Sequence, residues 1–176
     1  KARGWGYMRP WSLEGKTYGS ITACGVAALA IARSEIAGLK PEEEKAIDAS
    51  IRDGVCWTAA NFSVAENIHG ERYAWKDAYY YYLYSLERAG VLSNVRTLNK
   101  LDWYQEGAGV LLKAQRSDGS WPAGDKGYEA APIRTPFALL FLARATSPRY
   151  AQPYREDQIG EEAKPPTAPA LDPPLR

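Results

Sequence analysis

The sequence is poor in the residues that carry most metal and redox chemistry. Its 176 residues include two cysteines, one histidine and one methionine. Two cysteines in a chain of this length do not make a disulfide scaffold, and there is no Cys-x-x-Cys pair. Cys24 and Cys56 both fall in apolar helical contexts and read as small buried side chains. With His69 as the single imidazole, a zinc site has too few ligands, and no metal or other cofactor is expected. Charge of one sign is also lacking: 22 basic residues face 21 acidic ones, for a net charge of +1. There is no run of Lys and Arg, so the electrostatic footprint of a nucleic-acid binder is missing. No apolar run approaches about 18 residues, so no transmembrane segment is expected. The first residues, Lys1-Ala2-Arg3-Gly4-Trp5, lack the apolar core of a signal peptide, and the sequence does not begin with Met.

What is plentiful is tyrosine and tryptophan, with 12 and six residues. The 45% hydrophobic and 24% charged fractions are ordinary for a globular chain long enough to bury one core. The apolar residues fall into five helical patterns. Gly19-Ser20 opens the first, which runs to about Ser34. Ile21, Cys24, Ala28 and Ile31 share one face, and Val26, Ala27, Leu29 and Ala30 fill the others. A helix apolar nearly all round is a buried one. The second begins at Pro41, a favoured first helical position, followed by Glu42, Glu43 and Glu44. Its Ile47, Ile51, Val55 and Ala59 recur at steps of four on a polar background, as in an amphipathic helix. A loop follows over about 61–72.

The third pattern runs from about Trp75 to Ala89, with Gly90 as its cap. It holds Tyr79, Tyr80, Tyr81, Tyr82 and Tyr84; the neighbouring Leu83, Leu86, Glu87, Arg88 and Ala89 favour helix over strand. The fourth spans about Leu101 to Gln115 and the fifth about Arg134 to Ala145. Buried and amphipathic helices therefore alternate, with a unit of about 55 residues, close to the range of helical-pair arrays. Gly4-Trp5-Gly6-Tyr7, Tyr73-Ala74-Trp75 and Gly119-Ser120-Trp121 precede the three buried helices. Beyond Ser147 the composition changes. Five of the 12 prolines lie between Pro165 and Pro174, giving a Pro-rich C-terminal tail over 148–176 and a repeat segment over 1–147.

Gln115-Arg116-Ser117-Asp118-Gly119-Ser120-Trp121 resembles the QW motif, Gln-x-x-Asp-Gly-x-Trp, of the terpenoid cyclase and protein prenyltransferase superfamily. A closer resemblance is to bacterial proteins, many of them planctomycete, labelled prenyltransferase and squalene oxidase repeat. It is carried by Gly19 to Gly25, Tyr80 to Gly90, Asp102 to Ala108 and Thr135 to Thr146. The resemblance implies an all-α fold: a partial α/α toroid of alternating inner and outer helices. Five helices are about half of a closed toroid, and Gly4-Trp5 looks like the end of a further QW-like motif. The chain then reads as the C-terminal part of a longer toroid. Its partners would be the remainder of that toroid or a second copy, because open helical layers expose apolar faces.

The family's catalytic groups do not map onto this chain. Squalene–hopene cyclases protonate an alkene with an Asp-x-Asp-Asp cluster ahead of Thr-Ala. Here Tyr18, Ser20 and Ile21 stand before or beside Thr22-Ala23, and Ala131, Pro132, Ile133 and Arg134 precede Thr135. Prenyltransferases hold zinc through Asp, Cys and His, with Asp-x-Cys-Tyr at an inner-helix head. The matching run is Asp77-Ala78-Tyr79-Tyr80, where Tyr replaces the thiolate. Asp77 is thus the one carboxylate at such a head; it reads either as a charge favoured by the helix N-terminus or as a polar residue at the mouth of the toroid. Tyr80 and Tyr84 are four apart, and Tyr81 lies beside Ser85 and Arg88. These rings read as core packing or as the aromatic wall of a groove; aromatic faces also stabilise carbocations in cyclases. The candidate ligand-binding set is Asp77, Tyr80, Tyr81 and Tyr84. The expected function is a non-catalytic repeat domain that is structural or binds a peptide or an isoprenoid-like lipid. The alternative is an isoprenoid-handling enzyme with its catalytic residues elsewhere.

Overall fold

A computed structural model of the protein describes residues 2–6, 17–68, 78–123 and 129–146. Five helices carry the described fold: α1 (Gly19–Glu35), α2 (Pro41–Ala60), α3 (Tyr79–Leu92), α4 (Trp103–Ala114) and α5 (Ala131–Leu142). Between α3 and α4 two short strands, β1 (Thr97–Leu98) and β2 (Leu101–Asp102), pair antiparallel with Leu98 opposite Leu101. Asn99 and Lys100 both take positive φ, 49° and 67°, as a two-residue hairpin turn requires. The described residues are therefore mostly helical, with one small ribbon that periodicity does not reveal.

Helices α1, α3 and α5 lie side by side with α3 in the middle; α2 packs against α1, and α4 against α5 and α3. Short buried side chains on α1 (Ala23, Ala27 and Ala30) let backbones approach, while α3 buries Leu83 and Leu86. The start of α2 follows its sequence: Pro41 is at the first turn, and the Glu43 carboxylate accepts from Lys40 N at 2.9 Å.

The ends of α3, α4 and α5 differ from the sequence expectation. Gly90 is not the end of α3, which runs on to Leu92. The left-handed residue there is Asn94 (φ 54°), with Val95 N donating to Gly90 O and Asn94 N to Val91 O, a Schellman-type stop. Gly90 is needed for close approach instead: a Cβ there would lie 2.4 Å from Trp103 Cζ2. Helix α4 starts two residues late because Asp102 caps it, Oδ1 accepting from Tyr104 N (3.0 Å) and Gln105 N (3.1 Å). Helix α5 starts a turn early, at Ala131, and ends at Leu142. The stretch Trp75–Asp77 and the Pro-rich tail over 148–176 lie outside the described residues.

Aromatic rings set on glycines join the elements. Trp5 fits against Gly25 and Gly54, Tyr82 against Gly19, Trp103 against Gly90 and Phe141 against Gly107. The corner after α4 has the expected Asp-Gly turn. Gly119 takes φ 82°, Arg116 N donates to Ser120 O, and Asp118 Oδ1 accepts from Ser120 N and Oγ. Gln115 Nε2 reaches Gly119 O at 3.1 Å, and the buried Trp121 donates its indole N–H to Leu111 O at 2.8 Å. Helix α5 is less covered than a helix apolar all round should be. Leu139 is 52% exposed and Ile133, on a different face, 44%.

Candidate functional site

The tyrosine run of α3 divides into two sets with different surroundings. Tyr79, Tyr80 and Tyr82 turn into the protein. Their hydroxyls donate to Val64 O (2.7 Å), Pro122 O (3.0 Å) and Ser63 O (2.9 Å). Burial, the largest cause, raises all three phenols above the ordinary tyrosine value, Tyr79 and Tyr82 strongly; Glu129 adds to the rise at Tyr79 and Tyr80. These three rings bolt α3 to the segment after α2 and to the segment after the Asp-Gly turn. Tyr80 and Tyr84, four residues apart, do not serve one surface: Tyr80 is buried and Tyr84 is half-exposed.

The second set forms a stripe. Tyr81, Tyr84, Arg88 and Val91 are the residues beyond the first of α3 that remain partly exposed, and their spacing of three, four and three puts them on one face. Phe137 of α5 stacks on Tyr84 (centroids 5.0 Å apart, planes at 22°) and tilts against Tyr81 at 5.8 Å. Arg88 lies over the Tyr84 ring at 5.8 Å. From α1, Cys24 Sγ is 2.9 Å from Tyr81 Oη and 3.6 Å from Ser85 Oγ. Ser85 also donates to Tyr81 O, so its hydroxyl is tied to its own helix. Ile133 and Leu140 flank Phe137 on the same face of α5, and both are exposed. The result is a half-open aromatic and apolar surface across α1, α3 and α5. Its polar groups are one thiol, two phenols and one guanidinium.

The head of α3 is capped in an unexpected way. Ala78 gives no side-chain cap. Glu129, from the segment just before α5, accepts from Tyr80 N through Oε2 (3.0 Å) and from Tyr81 N through Oε1 (2.9 Å). A carboxylate stands at the head, and it comes from 49 residues away. Sequence reasoning missed Glu129 because helix capping is read from adjacent residues. Asp77, the residue chosen for this position, lies outside the described residues, as does His69. Phe137 was also missed as the partner of the stripe; its spacing from Ile133 and Leu140 was the available signal. Cys24 reads as buried in the sequence but is only half-buried, because Tyr81 rather than an aliphatic layer covers it.

Among the described residues, no three His, Cys, Asp or Glu side chains come together closely enough to hold a metal ion. No described helix is long and apolar enough to cross a membrane. A cavity between α1, α2 and α3, lined by Val26, Val55, Leu86 and Ala89, is too small for an organic ligand; the hydroxyls of Thr58 and Ser93 at its wall donate to their own helices. Comparison with protein-family models, curated proteins and solved structures found no match to this chain.

Proposed function

We propose that the chain is a non-catalytic segment of an α/α-toroid repeat protein that binds an elongated apolar ligand, an isoprenoid-like lipid or an apolar peptide, along the stripe of α3. The observation that carries this reading is the oriented aromatic surface of Tyr81, Tyr84 and Phe137, half-open and held in place by stacking. Ordered aromatic faces bury a ligand without first losing rotamer freedom. The raised phenols of Tyr79, Tyr80 and Tyr82 make them poor proton donors near neutral pH, which favours binding over acid–base chemistry. Within this reading α1, α3 and α5 are inner helices, α2 and α4 outer ones, and Tyr80 supports the stripe from behind. The remainder of the toroid or a second copy covers the exposed flank of α5.

Titration with farnesol and with squalene, followed by intrinsic fluorescence, tests the reading. Tyr84→Ala should weaken binding about fivefold or more, the value of one lost aromatic contact of about 1 kcal/mol. Equal binding by wild type and Tyr84→Ala would remove the site. Conversion of squalene or a prenyl diphosphate into product by the wild type would replace the non-catalytic reading with the enzymatic one.

A further inference from the structure

The stripe of α3 carries one formal charge, and among the described residues that charge has no counterion. Arg88 is half-buried, with its guanidinium over the Tyr84 ring at 5.8 Å, and it enters no ion pair and no hydrogen bond. The carboxylate next to it in sequence is turned the other way: Glu87 is fully buried and accepts from Thr146 N and Oγ1. A ring contact fixes the position of a guanidinium but leaves the N–H groups of its edges unused.

The other polar groups of the stripe are mostly engaged. Tyr81 Oη is 2.9 Å from Cys24 Sγ, and Ser85 Oγ donates to Tyr81 O. Among the described residues the Tyr84 hydroxyl has no partner, and it belongs to the ring that Arg88 covers. Free polar capacity is therefore gathered at one point of an otherwise apolar surface. Glu129, just before α5, meets Tyr80, and Thr146, just after α5, meets Glu87, so α3 and α5 run parallel. Tyr81, Phe137 and Ile133 then lie toward the helix heads, and Arg88 stands two turns beyond Tyr81, about 10 Å along α3.

We infer that the ligand of the stripe is a single-chain lipid ending in a carboxylate, with its chain along Tyr81, Phe137 and Tyr84 and its head on Arg88. The inference rests on the stripe being a ligand surface and selects among the ligands that reading allows. A peptide has a donor and an acceptor at every residue, and burying them unpaired is costly. The stripe offers partners at one point only. A wholly apolar chain would cover the guanidinium without meeting its donors or its charge. A chain with one anionic end matches both parts of the surface. One positive charge balances the single negative charge of a carboxylate, whose two oxygens fit the planar edge of the guanidinium.

Three probes with one chain and different heads test the head group: farnesoic acid, farnesol and farnesylamine, titrated into the full chain at neutral pH and followed by intrinsic fluorescence. The acid, ionised at that pH, should bind about tenfold or more tighter than the alcohol, and the amine more weakly than the alcohol. In Arg88→Met the ratio of acid to alcohol affinity should fall to about one, and in Arg88→Lys, which keeps the charge without the planar edge, to an intermediate value. The ratio is read within each variant, so a loss of stability common to both titrations does not imitate the effect. Equal binding of acid and alcohol by the wild type, or an unchanged ratio in Arg88→Met, overturns the head group and leaves the stripe standing if farnesol still binds and Tyr84→Ala still weakens it. A short leucine-rich peptide with both ends blocked, binding as tightly as the acid, overturns the choice of a lipid. Failure of all three probes to bind removes the stripe as a ligand surface and the head group with it.

Discussion

Alanine at Gly90 and at Gly109 should change stability in opposite directions, although both glycines are inside helices. Gly-to-Ala replacement in a helix interior normally stabilises by about 0.5–1 kcal/mol, because the unfolded chain loses freedom. At Gly109 of α4 no heavy atom lies within 4 Å of the added Cβ, so that gain should appear in full. At Gly90 the Cβ would lie 2.4 Å from Trp103 Cζ2, 2.5 Å from Cε2 and 2.9 Å from Nε1. Carbon atoms pack at about 3.5–4.0 Å, so the indole would have to retreat by about 1 Å. It is not free to do so. Its Nε1 donates to Val95 O at 2.6 Å, and its ring meets Phe141 edge-on at 6.1 Å. Overpacking a core costs about 1–3 kcal/mol, and a strained or broken hydrogen bond adds about 1 kcal/mol. Against a propensity gain of about 1 kcal/mol, Gly90→Ala should lose about 1–3 kcal/mol net. Urea denaturation checks this through the midpoints, with unchanged slopes in both variants. A Gly90→Ala protein as stable as Gly109→Ala would refute the seating of Trp103 on α3.

Two further substitutions probe the ends of the helix row. Glu87 is buried, and burial pushes its carboxyl above the ordinary value of 4.5, against the pull of the Thr146 hydrogen bonds, Arg88 and Arg144. The folded state then binds more protons than the unfolded one, so this site's contribution falls as pH rises above 4.5 through the raised folded value. Glu87→Gln should remove that decline in the pH dependence of urea stability, since an amide can accept from Thr146 N and donate to Thr146 Oγ1; a decline equal to the wild type's would count against it. Asp102→Ala should cost about 1 kcal/mol by uncapping α4, and Asp102→Asn should recover most of it in thermal melts.

The sequence made the helices legible and left their joints hidden, for physical reasons visible in particular residues. The period of Ile47, Ile51, Val55 and Ala59 is a local signal, and α2 occupies Pro41–Ala60 as that signal implies. Gly90 misled because a glycine near a helix end suits two uses, a left-handed stop or a close approach, and only Trp103 distinguishes them. The stop was given to Asn94. The same limit applies at the candidate site. Five tyrosines in six positions must point in several directions, but which of them turn inward depends on Val64, Ser63 and Pro122, segments far along the chain. Glu129, which caps α3 from beside α5, belongs to the same class of long-range facts.

Among the described residues two apolar surfaces remain open, and their construction ranks them. Pro132, Pro136, Leu139 and Ala143 form the outer flank of α5, all exposed and all aliphatic. No ring is seated there and no hydrogen bond orients a side chain, so any cover gains from burial alone. The stripe of α3 is built otherwise. Tyr84 is held between Phe137 and Arg88, and Tyr81 is held by Cys24 and Phe137. Glu129 fixes the start of the helix, and Tyr80 and Tyr82 anchor it from behind. Ordering a side chain at an interface costs about 0.5–1.5 kcal/mol, and on the stripe that cost is met within the fold before a ligand arrives. On the proposed reading, selective recognition would therefore fall to the stripe, whereas the α5 flank suits packing against further helices, which tolerates any apolar partner of matching shape.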